Sequence, residues 1–108
     1  MELLTYRSHI VVTLHFFPML LKGEIRCLPT DSYIHLKFDF HSSLFSGKCY
    51  FIDKEKNCAG ESAKAKIIIT AFSLIKDNIA PDMPFILYNN GILQIGEGII
   101  KEIIELDY

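Results

Sequence analysis

The side chains best suited to chemistry are five lysines between residues 48 and 66, which outnumber the acidic residues of the same stretch. They are Lys48, Lys54, Lys56, Lys64 and Lys66, against Asp53, Glu55 and Glu61. Lysines gathered on one surface supply the cations that phosphate groups bind, although most charge runs are solvated faces. We take Lys54, Lys56, Lys64 and Lys66 as candidate binding residues.

The four histidines and the hydroxyl side chains show no spacing typical of a metal or catalytic site. His9 and His15 would share one face of a strand, but six residues span about 20 Å at 3.3 Å per residue. No G-x-x-x-x-G-K-[ST] phosphate loop and no G-x-S-x-G motif occurs in the chain. We therefore predict no catalytic residue, no metal and no cofactor, and a protein that is not an enzyme.

The three cysteines, Cys27, Cys49 and Cys58, are an odd number without a C-x-x-C pair. This pattern favours ordinary, partly buried, reduced cysteines and a cytoplasmic location. The longest apolar stretch, from Ile10 to Leu21, is shorter than the roughly 20 residues that span a bilayer. We predict no membrane partner, and a domain that folds without a disulfide.

The length and composition of the chain bound the number of domains, and its charged residues set the sign of its electrostatic field. The chain has 108 residues, and half of them are hydrophobic, which predicts one domain over residues 1–108. Eleven basic and thirteen acidic side chains give a net charge of −2, so any nucleic-acid contact must depend on a local patch.

The elements that must position these residues are strands, because apolar and polar residues alternate with a period of two. In His9–Phe16 the side chains of Ile10, Val12, Leu14 and Phe16 share one face, and Tyr33–Phe40 alternates in the same way. Further strands are predicted at 24–28, 48–52 and 62–70. Residues 71–83 fit either a strand extension or a short helical turn.

The last third of the chain carries the strongest hairpin signal. Asn89, Asn90 and Gly91 tolerate positive φ and stand between the apolar runs 85–88 and 92–95. We include these three residues among the candidate binding residues. Short strands separated by turns predict an all-β protein, a small closed antiparallel barrel of about six strands, since closure removes exposed edges.

Several of these segments resemble a known module, the C-terminal β-barrel (domain III) of elongation factor Tu and related translation GTPases. Pro84–Leu87 is similar to the family's R-F-x-[IL] strand, and Gly96–Ile103 is similar to its closing G-x-G-x-V strand. Ala59–Ala63 stands where the family has a proline-glycine turn that opens a strand. The resemblance implies a small β-barrel, and in the family this barrel binds the T-arm of tRNA and contacts the GTPase domain and exchange factor.

The chain departs from the family at the RNA-contacting positions. Pro84 replaces the arginine of R-F, and Gly91–Gln94 replaces the turn G-G-R-T, so the cations that would contact phosphate are missing. Our leading hypothesis is a freestanding, non-enzymatic barrel that binds a protein partner, for example a small bacterial immunity or regulatory protein. The alternative is an RNA- or tRNA-binding module that uses the lysines. A third hypothesis, an enzyme, requires a deep pocket at the barrel mouth with a histidine beside a cysteine or carboxylate.

Overall fold

A computed structural model describes residues 9–18, 27–89 and 93–104 of the chain. These residues form eight strands and one helical turn. The elements are β1 (Ile10–Phe16), β2 (Cys27–Pro29), β3 (Ser32–Lys37), β4 (Leu44–Phe51), β5 (Lys56–Cys58), β6 (Ser62–Ile69), α1 (Phe72–Ile75), β7 (Pro84–Asn89) and β8 (Leu93–Ile103).

Six of the strands close into a barrel in the order β1-β6-β4-β3-β7-β8, and β8 pairs with β1 to complete the ring. Every neighbouring pair is antiparallel. The prediction of an all-β protein with a small closed antiparallel barrel of six strands is confirmed. Strands β2 and β5 form a separate two-stranded ribbon.

The interior of the barrel is built by the alternation that the sequence displays. In β1 the side chains of Ile10, Val12, Leu14 and Phe16 are buried, and the residues between them face outward. Strand β3 ends at Lys37, however, and Phe40 lies in the following turn, half-exposed, with its ring stacked on Phe38 at 5.3 Å between centroids. The predicted inward position of Phe40 is therefore wrong, because the chain turns at residues 39–40, just after Phe38, the last buried position of this segment.

Two glycines in β8, Gly96 and Gly98, allow close packing on the inner side of the barrel wall. A Cβ atom at Gly96 would lie 2.6 Å from the backbone oxygen of His15 on β1. A Cβ atom at Gly98 would overlap the ring of Phe85 and the side chain of Leu14. The paired glycines of the closing strand thus make room for the neighbouring strand and for two core side chains.

Residues 71–83 contain the single turn α1, with Phe72, Ile75 and Ile79 buried against the core. Of the two structures that the sequence leaves open here, the helical turn is the one that forms. Within the described part of the chain, no helix has the length and apolar character needed to cross a membrane.

The ribbon of β2 and β5 overturns the prediction of three reduced cysteines. Cys27 and Cys58 are register partners in the ribbon and form a disulfide bond across 31 residues of sequence. Cys49 is the remaining thiol, and it is buried in the core on β4. Because disulfides persist mainly in oxidising compartments, this bond removes the basis on which a cytoplasmic location was predicted.

Candidate functional site

A groove of about 450 Å³ lies on the outer face of the barrel wall, where β1, β8 and β7 run side by side. The residues that line it come from these three strands, from the start of β6 and from the turn after β3. They are Thr13, Leu14, His15, Asp39, Ser62, Pro84, Phe85, Ile86, Glu97, Gly98 and Ile99.

Cross-strand pairing arranges the outward residues of the groove in two parallel rows. In the first row Ile99 is the register partner of Thr13 on one side and of Pro84 on the other. This row is largely apolar, and Ile99 keeps 40% of its surface exposed. It provides an uncovered apolar floor.

The second row of the groove is polar at one end and apolar at the other. Glu97 is the register partner of both His15 and Ile86, and His15 is the register partner of Ser62. The Nδ1 atom of His15 lies 3.0 Å from Ser62 Oγ, within hydrogen-bond distance. Ser62, His15, Glu97 and Ile86 therefore follow one another across four strands.

The carboxylates of the groove have no cationic partner among the described residues. The two ion pairs found there, Lys48 with Asp31 and Lys54 with Glu61, involve neither Asp39 nor Glu97. Lys37, whose register partner is Ile86, instead donates its ammonium hydrogens to backbone oxygens of Phe38 and His41. The groove therefore combines an apolar floor with carboxylates that no described cation pairs.

The four candidate lysines lie on β6, on β5 and in the loop before β5. Lys64 and Lys66 project from the outer face of β6, and Lys66 is the register partner of Tyr50 on β4. Lys56 is exposed on β5. Lys54 is engaged by Asn57 and Glu61.

Lys54 holds together the loop that joins β5 to β6. Its ammonium donates to Asn57 Oδ1 at 2.6 Å and lies 3.5 Å from the carboxylate of Glu61. Asn57 is fully buried and donates to the backbone oxygen of Glu61. The backbone N–H of Cys58 donates to Glu61 Oε1, and this bond, aided by Lys54, holds the pKa of Glu61 below its usual value.

A lysine-bearing surface on β3, β4 and β6 includes two aromatic side chains, Tyr33 and Tyr50, that are outside the predicted set of binding residues. Lys48 is the register partner of Tyr33, and its Nζ atom lies 5.1 Å from the Tyr33 ring centroid and 6.0 Å from that of Tyr50. Tyr33 is 71% exposed. A hydrogen bond to Asp31 raises the pKa of Lys48, so this side chain stays charged.

Of the three candidate residues in the hairpin, Asn89 is the one that the structure describes. Asn89 ends β7 as the register partner of Leu93, and it is only 8% exposed. Asn90 and Gly91 lie outside the described residues. As a buried side chain, Asn89 offers a partner little surface to contact.

The described parts of the chain contain no cluster of side chains that could bind a metal ion. Across residues 9–18, 27–89 and 93–104, no three histidine, cysteine or acidic side chains gather closely enough to hold an ion. The groove does place His15 beside carboxylates, as the enzyme hypothesis requires, but on the outer wall and not at a barrel mouth.

Comparison of the sequence with protein-family models finds no match, and no curated protein matches it either. The barrel agrees with the fold implied by the resemblance to domain III of elongation factor Tu, but no family evidence supports that resemblance. The geometry of the groove and of the lysine-bearing surface is therefore the basis for assigning a function.

Proposed function

We propose that this protein is a non-enzymatic binding barrel, and that its outer groove captures an extended segment of a partner protein. The observation that supports this most directly is the largely apolar row of Thr13, Ile99 and Pro84 inside a concave surface, in which Ile99 and Pro84 are exposed. Mostly apolar grooves with a few polar groups are typical of binding sites. Water is expelled from such a surface when an apolar side chain fills it, and that is the main driving force of association.

A barrel of this kind suits a regulatory or immunity protein, which acts by occupying a surface of its partner. We further propose that the barrel is related to domain III of elongation factor Tu. The closed six-stranded architecture and the glycine pair of the last strand support that relation. The binding role does not depend on it, because it is argued from the groove's own residues. Pro84, which stands where the family has an RNA-contacting arginine, contributes apolar surface to the groove instead.

Filling the groove tests this role. Ile99→Trp places a large ring over the apolar row, and we expect it to abolish the binding of peptides selected from a random displayed library with the wild-type protein. The matched control is Leu74→Trp, which adds the same ring at a site 73% exposed on α1, outside the groove. Affinities of the selected peptides, measured by fluorescence anisotropy, should be unchanged in this control.

Two outcomes would contradict the proposal. One is a selection that enriches no peptide for the wild-type barrel. The other is a set of peptides that bind Ile99→Trp as tightly as the wild type. Circular dichroism of both tryptophan variants separates a blocked groove from a barrel that no longer folds.

A second candidate function, binding of a single RNA strand, is favoured by one observation. The surface of Tyr33, Lys48, Tyr50 and Lys66 alternates aromatic rings with cations across adjacent strands. Single-stranded nucleic acids bind such surfaces by stacking bases on the rings while lysines contact phosphates. Lys64, the next outward residue of β6, extends the positive charge.

We expect Tyr33→Ala to weaken the binding of a labelled single-stranded RNA by about tenfold, the range found for one lost stacking contact. Lys66→Glu should also weaken it and should reduce the slope of log affinity against log salt by about one. Lys101→Glu, an exposed change on β8, is the matched control. Equal affinities for all four proteins would remove this candidate.

A further inference from the structure

We propose that the groove selects a partner segment in which an apolar residue and a lysine or arginine are separated by one residue. This inference rests on the proposed binding function and adds the chemistry of the occupant. It follows from the spacing of the two rows and from the groove carboxylates that form no ion pair with a described residue.

The distance between the rows is set by the strands themselves. Thr13 and His15 are two residues apart on β1, as are Ile99 and Glu97 on β8 and Pro84 and Ile86 on β7. Two residues of a strand span about 6.6 Å. The apolar row and the row that contains Glu97 are therefore separated by this distance along the whole width of the groove.

An extended peptide repeats its side chains with the same spacing, because residues i and i+2 point to the same side. A segment that lies along β1 and β8 can thus place one side chain over Ile99 and the next residue on that face over Glu97. The residue between them faces away from the barrel. Either chain direction satisfies this match, so the basic residue can precede or follow the apolar one.

The charge of the second residue is determined by Glu97 and Asp39. Both are exposed, both line the groove, and neither forms an ion pair with a described residue. Lys64, the register partner of Thr13, lies outside the lining and makes no ion pair with either of them. A lysine or arginine of the partner supplies the missing cation, while its aliphatic stem packs on Ile86.

An acidic segment is disfavoured by the same groups. It would place like charges beside Glu97 and Asp39, and like-charge contacts at an interface reduce affinity and suppress wrong partners.

The test uses the peptides selected from a random displayed library by the wild-type barrel and blocked by Ile99→Trp. We expect them to carry lysine or arginine two positions from leucine, isoleucine, valine or phenylalanine more often than at any other spacing. For one such synthetic peptide, replacing its basic residue by glutamate should lower affinity at least tenfold. Moving the basic residue next to the apolar one should have a similar effect.

The protein side is tested with charge reversal. Glu97→Lys should lower the affinity for the basic peptide by about tenfold and raise the affinity for its glutamate version. Glu102→Lys, an exposed change on the same strand but outside the groove, should alter neither affinity. Groove-dependent peptides without the predicted spacing, or an unaltered affinity in Glu97→Lys, would overturn this inference and leave the binding function intact. If no groove-dependent peptide is selected, the binding function itself fails, and this inference fails with it.

Discussion

Gly98→Val is expected to lower the free energy of unfolding by about 3 kcal/mol, at the upper end of what overpacking a core costs. The first added carbon already overlaps the ring of Phe85 and the side chain of Leu14, and both of these residues are buried. Neither can move without displacing other core side chains, since interiors are packed as densely as organic crystals. Urea denaturation followed by circular dichroism measures the change.

The matched control for this prediction is Lys101→Val, which introduces the same side chain at an exposed position of β8. It should change stability by less than about 0.5 kcal/mol, as surface substitutions usually do. Phe85→Leu should partly rescue the glycine variant, because it removes one of the two overlapping groups, and a double-mutant cycle reports that coupling. A Gly98→Val protein as stable as the wild type would show that β8 does not pack against Phe85 as described.

Removing the disulfide is the second large effect. The double substitution Cys27→Ser and Cys58→Ser should lower the free energy of unfolding by about 3–4 kcal/mol, the chain-entropy value for a bond that closes a loop of this length. Without the bond the unfolded chain gains conformational entropy. The ribbon of β2 and β5 is then held together by only three residue pairs. Denaturation without reductant, compared with the wild type, gives the difference.

Thiol labelling provides the control for this prediction. Burial raises the pKa of Cys49 to about 12, so its thiol stays protonated and unreactive in the folded protein near neutral pH. An alkylating reagent should therefore label no cysteine before reduction, Cys27 and Cys58 after reduction, and Cys49 only after unfolding. Labelling of Cys27 in the unreduced protein, or equal stability of the reduced and oxidised forms, would contradict the bond.

The sequence predicts the barrel well because the responsible signals are local. The buried set of β1 follows from alternation within a few residues, and Gly96 with Gly98 marks a strand that must pack closely on its inner side. The disulfide was missed because the pairing of Cys27 with Cys58 depends on the register of two short strands. No local spacing encodes that register.

The groove was missed for a related reason. It exists only because the first strand of the barrel pairs with the last, which brings Thr13 beside Ile99 and His15 beside Glu97. Strand pairing also decides which of the lysines lies beside an aromatic side chain. Lys66 is the register partner of Tyr50 across β4 and β6. Lys54 instead donates a hydrogen bond to the buried amide of Asn57, a contact that composition does not reveal.

Closure of the barrel also restricts how any partner can be recognised. Each of the six strands has a hydrogen-bonded neighbour on both sides, so none of them is an edge strand. In the described chain only β2 and β5 are edge strands. Each is three residues long, and β2 ends in Pro29, which has no N–H to donate. A partner strand therefore finds no barrel edge to extend, which also protects the protein from edge-to-edge aggregation. Recognition at the barrel wall therefore depends on side chains. The side chains of a partner segment set its affinity, and its backbone does not.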